Sequence, residues 1–263
     1  MKKEQRKRRK IKERFWSGSG KFLLTLIIVY VFLLGINELI QFSEKQCDSF
    51  LKSDIQIEGN RLIPSAKILH LCGFDNRNPA KRIEIDANKL AKKILHLTYA
   101  QGVSITRRPP SILNITIEER EPIAFIYGKG LNLIDNEGFL MPVPNYQAMW
   151  NLPLISGIKQ LGKLGEKSTA KKTYLALKIV SYINKENPLL AGILSEINME
   201  RDNYIELYLI KGGAKVRINE DSFYKELYTL KNFIVKYFDF ADLGNIEYID
   251  LRFKDQLVIK QKT

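Results

Sequence analysis

The stretch RRPPSILNITIEEREPIAF, residues 107–125, determines how the chain divides into folded units. Its middle part has an aliphatic residue at every second position, and such residues share one apolar face of a β-strand. These residues are Leu113, Ile115 and Ile117. Pro122 lacks the N–H that a regular ladder needs, so the strand cannot continue through it. We therefore predict that one unit ends at residue 120 and that a second begins at residue 121.

The sequence upstream of this strand predicts a small α/β unit over residues 54–120. A strand around residue 56 is followed by a helix from Ser65, a helix capped by Asp86 and a strand around residue 104. The order of elements is therefore strand–helix–helix–strand–strand. We expect the three strands to form one sheet.

The sequence downstream, residues 121–263, predicts mostly strands. They alternate apolar with polar residues, and the segment DNEG at 135–138 is a hairpin turn signal. Amphipathic patterns predict two helices, over residues 166–186 and 223–238. A final strand, Ile246–Ile259, is expected at a sheet edge because little sequence follows it. The predicted fold class is α+β, with a mostly antiparallel β-domain after the first unit.

The most apolar stretch, FLLTLIIVYVFLLGI at residues 22–36, predicts a membrane anchor. A spanning helix needs about 20 residues, and continuation to Phe42 supplies them. A cleavable signal peptide and a buried helix are the alternatives. No small-x-small cleavage pattern follows Ile36, and the stretch has no polar face, so both are disfavoured. We expect an uncleaved transmembrane helix over residues 22–42.

The 21 residues before this helix form a strongly basic tail. They carry ten Lys/Arg and two acidic residues, a net charge of +8, whereas the remaining 242 residues carry only +5. Basic residues beside a membrane mark the cytoplasmic side and contact anionic lipid. We therefore expect residues 1–21 in the cytoplasm, residues 1–42 in contact with lipid, and no nucleic-acid partner. Residues 43–53 are polar and predict a short juxtamembrane linker or an extension of the helix.

No set of residues indicates catalysis or cofactor binding. His70 and His96 lack neighbours at metal-ligand spacing, and no nucleophile elbow, phosphate loop or dinucleotide fingerprint is present. We therefore expect no enzyme activity, no cofactor and no metal. Cys72 follows an apolar helical pattern and is expected in the core. A disulfide between Cys47 and Cys72 is possible, but the spacing of the two residues does not require it.

Several segments resemble the FtsQ/DivIB family of bacterial cell-division proteins, whose first extracytoplasmic unit is a POTRA domain. The matching segments are IEGNRLIPSAKILHLCGF (57–74), IEIDANKLAKKIL (83–95), RRPPSILNITIEEREPIAF (107–125), LNLIDNEGFL (131–140), LPLISG (152–157) and IEYIDLRF (246–253). The resemblance covers nearly the whole chain. It implies a POTRA domain at 54–120 and an FtsQ-type β-domain at 121–263.

The resemblance also implies a partner site. In this family the last strand recruits the FtsB–FtsL pair by strand addition, in which an extended segment pairs with an exposed sheet edge. By position the site runs from Tyr248 to Ile259, with Phe253 and Leu257 as side-chain anchors. Its residues are Tyr248, Asp250, Arg252, Phe253, Lys254, Asp255, Leu257 and Ile259, with Arg201 as a further candidate by analogy. An ordinary closing strand without a partner is the alternative.

The localisation that the resemblance implies is the inner membrane at the division septum. The protein would span it once and link FtsB/FtsL-type proteins and other divisome membrane proteins. The rival class is a POTRA-containing chaperone or transport component for exported polypeptides. Such proteins carry several POTRA units or a barrel, and this chain has one unit and too little length for a large barrel.

Glu119 and Arg120 stand where the two predicted units meet. One interpretation is an exposed ion pair, which would contribute about 1 kcal/mol or less. The other is a clamp at the hinge between the units. The sequence leaves both open.

Overall fold

A computed structural model describes most of the chain. The described residues are 22–43, 48–78, 80–144, 150–210, 213–237, 242–254 and 256–262. The basic tail, Cys47 and Asp255 lie outside these ranges. The predictions made for them, including a disulfide of Cys47, therefore stay predictions.

Helix α1, Phe22–Ser43, agrees with the predicted span to within one residue. Its mean hydropathy is 2.4, and its apolar side chains are exposed. At about 1.5 Å per residue the 22 residues are ~33 Å long, which matches the hydrocarbon core of a bilayer. Among the described residues, α1 is the one helix long and apolar enough to cross a membrane.

The α/β unit contains the five predicted elements in the predicted order, together with two short strands that were not predicted, one before them and one between the two helices. The elements are β1 Ser49–Phe50, β2 Ile55–Glu58, α2 Ser65–Leu71, β3 Ile83–Glu84, α3 Ala87–Leu95, β4 Ala100–Arg108 and β5 Ile112–Glu119. A three-stranded sheet has the order β2-β5-β4, and β2 pairs with β5 in parallel. The alternating aliphatic residues of β5 are buried, which confirms the strand predicted from their spacing.

Residues 48–50 belong to this fold rather than to a linker. β1 pairs with β3, and Phe50 is fully buried. Arg82 donates a hydrogen bond to the carbonyl of Ser49 at 3.1 Å. Phe50 and Leu51 are two adjacent apolar residues between polar segments, which show no strand periodicity, so the sequence did not indicate this small sheet.

The second helix of the unit begins as predicted. The Asp86 carboxylate accepts a hydrogen bond from the N–H of Lys89 at 3.0 Å, the geometry of a helix N-cap. This bond lowers the pKa of Asp86. Cys72 is buried, as predicted, and burial raises the pKa of its thiol to about 11. Cys72 is therefore a core residue and not a reactive one.

A nine-stranded mixed sheet dominates the rest of the chain. The elements are β6 Pro122–Tyr127, β7 Leu131–Asp135, β8 Leu140–Pro142, β9 Leu154–Ser156, α4 Lys171–Glu186, α5 Pro188–Ile193, β10 Leu194–Asn198, β11 Ile205–Leu209, β12 Lys215–Ile218, α6 Phe223–Tyr237, β13 Ile246–Asp250 and β14 Val258–Gln261. The sheet order is β14-β13-β12-β11-β10-β9-β6-β7-β8. Most neighbouring strands are antiparallel, but β9 is parallel to both β6 and β10, and β12 is parallel to β13.

Helices α4 and α6 confirm the two amphipathic patterns, and their apolar sides pack with the sheet in one core. The short helix α5 was not predicted. Asn187 caps it by accepting a hydrogen bond from the N–H of Leu190 at 3.2 Å, and Pro188 occupies its first position. The Asn-Pro pair is a helix-start signal that was available in the sequence.

The prediction of one final strand, Ile246–Ile259, is wrong. Two antiparallel strands, β13 and β14, are joined by residues 251–257. β13 lies between β12 and β14, so only β14 stands at the edge. The chain turns without Gly or Pro, using bonds from Arg252 to Asp250 and from the N–H of Gln256 to the carbonyl of Phe253.

The chain forms two compact units whose boundary does not follow sequence order. Gly59–Pro64 and Lys93–Val103 belong to the second unit together with the residues from Ile117 onward. The first unit keeps the rest of the α/β fold, including β1, β2, β3 and α2. These packing units differ from the division at residues 120 and 121, which stays a prediction.

Glu119 is buried and Arg120 is half-buried within the second unit, and the two have different partners. The Glu119 carboxylate accepts hydrogen bonds from the N–H groups of Leu62 and Ile63, both at 2.7 Å. Arg120 donates to Asp135 at 2.8 Å, and the exposed fractions of these two side chains are 12% and 3%. The exposed-pair interpretation is therefore wrong. Glu119 holds the 59–64 turn, and Arg120 holds the end of β7.

Candidate partner-binding site

The open edge of the nine-stranded sheet is β14. All four of its residues are exposed, and among the described residues β14 pairs only with β13. The N–H of Lys262 donates to the carbonyl of Asn245 at 2.8 Å, on the β13 side. Because N–H directions alternate along an antiparallel strand, the N–H groups of Ile259 and Gln261 point away from β13. An extended segment could pair with these positions.

The residues predicted to bind a partner fall on three consecutive parts of the chain. Tyr248 and Asp250 lie on β13, and Ile259 lies on β14. The connection at 251–257 carries Arg252, Phe253, Lys254 and Leu257, while Asp255 is outside the described residues. Because β13 has a strand on each side, its residues can offer side chains but no free backbone edge.

Asp250 and Arg252 form a fixed ion pair at the start of the connection. The Asp250 carboxylate accepts bonds from Nε and Nη2 of Arg252 at 2.8 and 2.7 Å and from its backbone N–H at 3.2 Å. Burial of the carboxylate favours its neutral form, but the bonds to Arg252 and the nearby charges outweigh this, so the pKa of Asp250 is lowered. The same bonds raise the pKa of Arg252. This bidentate contact therefore fixes the conformation of the turn.

A row of alternating cationic and aromatic side chains crosses the outer face of the sheet beside this edge. The Arg217 guanidinium lies 4.5 Å from the centre of the Tyr248 ring and 5.7 Å from that of Tyr204. Arg252 lies 4.4 Å from Tyr204, and the ammonium of Lys260 on β14 lies 5.9 Å from Tyr248. Cation–π contacts of this kind hold the row in place.

Sequence reasoning found Tyr248 and Arg252 but missed Tyr204 and Arg217. The segments YIELYL (204–209) and KVRI (215–218) alternate polar and apolar residues, and that alternation predicts a solvent-facing side. It does not predict which strands are neighbours. The register that places Arg217 opposite Glu206 and Asp250 follows only from the folded sheet.

A groove of about 480 Å³ lies between α6 and the 251–257 connection. Phe253 and Leu257 line it together with Lys225 and Thr229 of α6. The Phe253 side chain is 50% exposed, whereas Leu257 packs against the core. The two predicted anchors therefore face one groove next to β14.

The charge of this groove is positive. Lys225, Arg252 and Lys254 line it, with Glu226 as its one acidic residue among those described. Glu226 is buried and accepts hydrogen bonds from Asn219 and from the Ser222 hydroxyl. The Glu226 carboxylate is thus held in place by hydrogen bonds within the fold.

Arg201 is not brought to this site by any contact between described residues. Its carbonyl accepts a hydrogen bond from the ammonium of Lys172 on α4 at 3.0 Å. Its role in partner binding stays a prediction. In the part of the chain that the structure describes, no group of three His, Cys, Asp or Glu residues could hold a metal ion.

Comparison with known proteins divides the chain between two family models. Residues 51–120 match the POTRA domain of FtsQ type, and residues 121–259 match the model described as FtsQ/DivIB, C-terminal related.

Curated relatives agree with this match. The cell division protein FtsQ of Rhodothermus marinus is 25% identical over 253 residues, which cover 94% of this chain and 89% of that protein. FtsQ of Syntrophotalea carbinolica is 25% identical over 81% of this chain and 74% of its own length. The cell division protein DivIB of Clostridium acetobutylicum is 26% identical over 76% and 78%. The chain therefore belongs to the FtsQ/DivIB family of bacterial cell-division proteins.

Proposed function

We propose that this protein is a single-pass scaffold of the divisome that binds other division proteins and catalyses no reaction. Its tail, residues 1–21, lies in the cytoplasm, and its folded units lie on the other side of the inner membrane at the septum. The charge of the tail and the length of α1 support this orientation through the positive-inside rule.

The mechanism that we propose is strand addition at β14. An extended segment of an FtsB/FtsL-type partner pairs with the outward N–H and C=O groups of Ile259 and Gln261. An apolar side chain of the same segment enters the groove beside Phe253 and Leu257. Main-chain bonds of this kind supply affinity, and the side-chain groove supplies selectivity.

One observation carries this proposal: β14 is an edge strand of exposed residues, directly beside a groove with an exposed aromatic side chain. A closing strand without a partner is usually covered by another segment or twisted away from neighbouring chains, because an open apolar edge promotes aggregation. The rival transport function receives no support, since the two matched models leave room for one POTRA domain.

The test uses the full chain purified from native membranes, with recovery of FtsB and FtsL measured by quantitative immunoblotting. Ile259→Pro removes one outward N–H while the bonds of β14 to β13 stay available. Phe253→Lys replaces the exposed aromatic side chain of the groove with a further positive charge. We expect each variant to lower the recovery of both partners by about tenfold or more, a change of ~1.4 kcal/mol in binding.

Val235→Lys is the matched control, because Val235 is a 65% exposed apolar residue on α6. It should leave recovery unchanged. Thermal unfolding of each variant, followed by circular dichroism, shows that the fold is kept. Full recovery of both partners by folded Ile259→Pro and Phe253→Lys proteins would refute strand addition at β14.

A further inference from the structure

A second groove on the same unit lies between the β6–β7 hairpin and residues 157–165. Its volume is about 550 Å³. Its lining combines three exposed lysines with three leucines, which are Lys129, Lys159, Lys163, Leu140, Leu161 and Leu164. The hydrophobic core and the partner site described above use neither the lysines nor the exposed Leu164.

The hairpin and the 157–165 segment are in contact at the base of this groove. A Cβ atom on Gly128 would lie 2.5 Å from Cδ1 of Leu161, so the Leu161 side chain packs directly against the hairpin at this glycine. Leu161 is 8% exposed, whereas Leu164 is 54% exposed. The groove thus has a buried leucine in its floor and an exposed leucine at its rim.

The lysines at the rim form no ion pairs with the described residues. Lys129 and Lys163 have no ion pair or side-chain hydrogen bond with any described residue, and Lys159 acts only at longer range, where it helps to lower the pKa of Asp202. That lowering comes first from the hydrogen bond of Asp202 to Lys172. No carboxylate occurs among the described residues that line the groove. A carboxylate brought there would be attracted by all three ammonium groups.

The groove is distinct from the β14 edge. β6 is the seventh strand counted from β14, so at ~4.8 Å per strand the two sites are about 29 Å apart. A segment paired with β14 cannot fill the second groove at the same time unless it continues for many residues. The two sites can therefore serve different segments or different proteins.

We propose that this lysine-rimmed groove binds a polypeptide segment of another protein, one that carries a carboxylate side chain next to a leucine-sized apolar side chain. Opposite charges select and orient such a segment. The exposed leucine and the floor beneath it favour a polypeptide over a free anion or a phosphate headgroup, since neither has an apolar side chain to bury.

The test places a photoreactive phenylalanine analogue at Leu164 in the full chain, in native membranes, and maps the crosslinked peptide by mass spectrometry. We expect a polypeptide product whose crosslinked residue lies within a few positions of an Asp or Glu. Lys163→Glu should lower its yield about tenfold or more. Replacement of the mapped carboxylate by Lys should restore the yield with Lys163→Glu.

Lys178→Glu is the matched control, because Lys178 is an exposed lysine on α4 without a described partner. It should leave the yield unchanged, and so should Ile259→Pro, which separates this site from strand addition at β14. If Lys163→Glu is misfolded, Lys163→Gln removes the same positive charge, and its thermal unfolding shows whether the fold is kept. The proposal is overturned by an absent crosslink, by a lipid product, by a mapped peptide without an acidic residue, or by a yield that charge reversal does not change.

Discussion

The two ends of the nine-stranded sheet are built in opposite ways. At β8 the N–H of Leu140 donates to the carbonyl of Glu166 at 3.0 Å, and its carbonyl accepts from the N–H of Gly165 at 2.9 Å. Pro142 has no N–H, and its carbonyl accepts a hydrogen bond from the Tyr99 hydroxyl. At β14, the outward groups have no partner among the described residues.

This difference shows that the open edge is a property of one end and not of the fold in general. Leu140 and Met141 of β8 are buried, whereas Val258 and Ile259 of β14 are 38% and 36% exposed. A loop covers the β8 edge, whereas no described segment covers the β14 edge. The uncovered strand is the place where the proposed strand addition would occur, and exposed charges beside it limit aggregation.

The largest effect is expected at the turn that leads into the closed edge. Asp135 accepts bonds from the N–H groups of Glu137 and Phe139 at 2.9 and 2.8 Å and from Arg120. Arg120→Met would leave a buried carboxylate without its cation, which should cost roughly 3–5 kcal/mol in the free energy of unfolding. Denaturant unfolding of the full chain in detergent measures this loss.

The control is Arg61→Met, because Arg61 and Glu121 form an ion pair whose side chains are 74% and 77% exposed. It should cost no more than about 1 kcal/mol. Equal losses for the two variants would show that the Arg120–Asp135 pair does not stabilise the closed edge.

A smaller effect is expected where the loop covers β8. Gly165 has a φ of +83°, and no atom would obstruct a Cβ there, so Gly165→Ala tests backbone conformation alone. The left-handed conformation should cost about 1–2 kcal/mol. Gly192→Ala in helix α5 is also unobstructed and should stabilise by roughly 0.5–1 kcal/mol. If the melting temperatures of Gly165→Ala and Gly192→Ala shift in the same direction, the left-handed conformation of Gly165 in the loop that covers β8 is contradicted.

The open edge should depend on acid pH through Asp250. Because its folded-state pKa is lowered, Asp250 stabilises the fold above the usual aspartate pKa of about 3.9, and this contribution is lost as the pH falls through the lower folded value. Melting temperatures of wild type and Asp250→Asn should therefore converge below pH ~4. A constant difference between pH 7 and pH 3 would exclude this linkage.

The smallest effect on stability, but a specific one on association, is expected at Lys260. This lysine lies on β14, and its ammonium pairs with Glu247 of β13 at 2.8 Å. Lys260→Val should leave the melting temperature nearly unchanged and increase self-association, because a charge that guards the edge is lost. Chemical crosslinking followed by size-exclusion chromatography detects this. Lys178→Val is the control. An equal increase in self-association for both variants would indicate a nonspecific effect of the added apolar side chain.

Much of the fold could be predicted from local patterns. The alternation at Leu113, Ile115 and Ile117 predicted β5, the cap at Asp86 predicted α3, and two amphipathic patterns predicted α4 and α6. Each of these signals lies within a few residues of the element that it specifies. The final strand was predicted wrongly because its turn uses side-chain bonds of Arg252, and the sequence there has no Gly or Pro.

The candidate site was only partly predictable for a related reason. Phe253 and Leu257 were named from resemblance, and the fold places both in one groove. Tyr204 and Arg217 were missed, since their contacts join strands that are more than 30 residues apart from Tyr248 in the chain. No local period encodes which strands become neighbours.

The amino-acid sequence by itself determined one apolar helix behind a basic tail, the order of elements in the α/β unit, and the family. Hydrophobic periodicity and charge are local properties, so they can be read directly along the chain. Only the tertiary structure decided which strand ends the sheet, which edge is covered, and where three lysines meet an uncovered leucine. These features depend on strand register and on backbone segments that pack closely although they are distant in sequence.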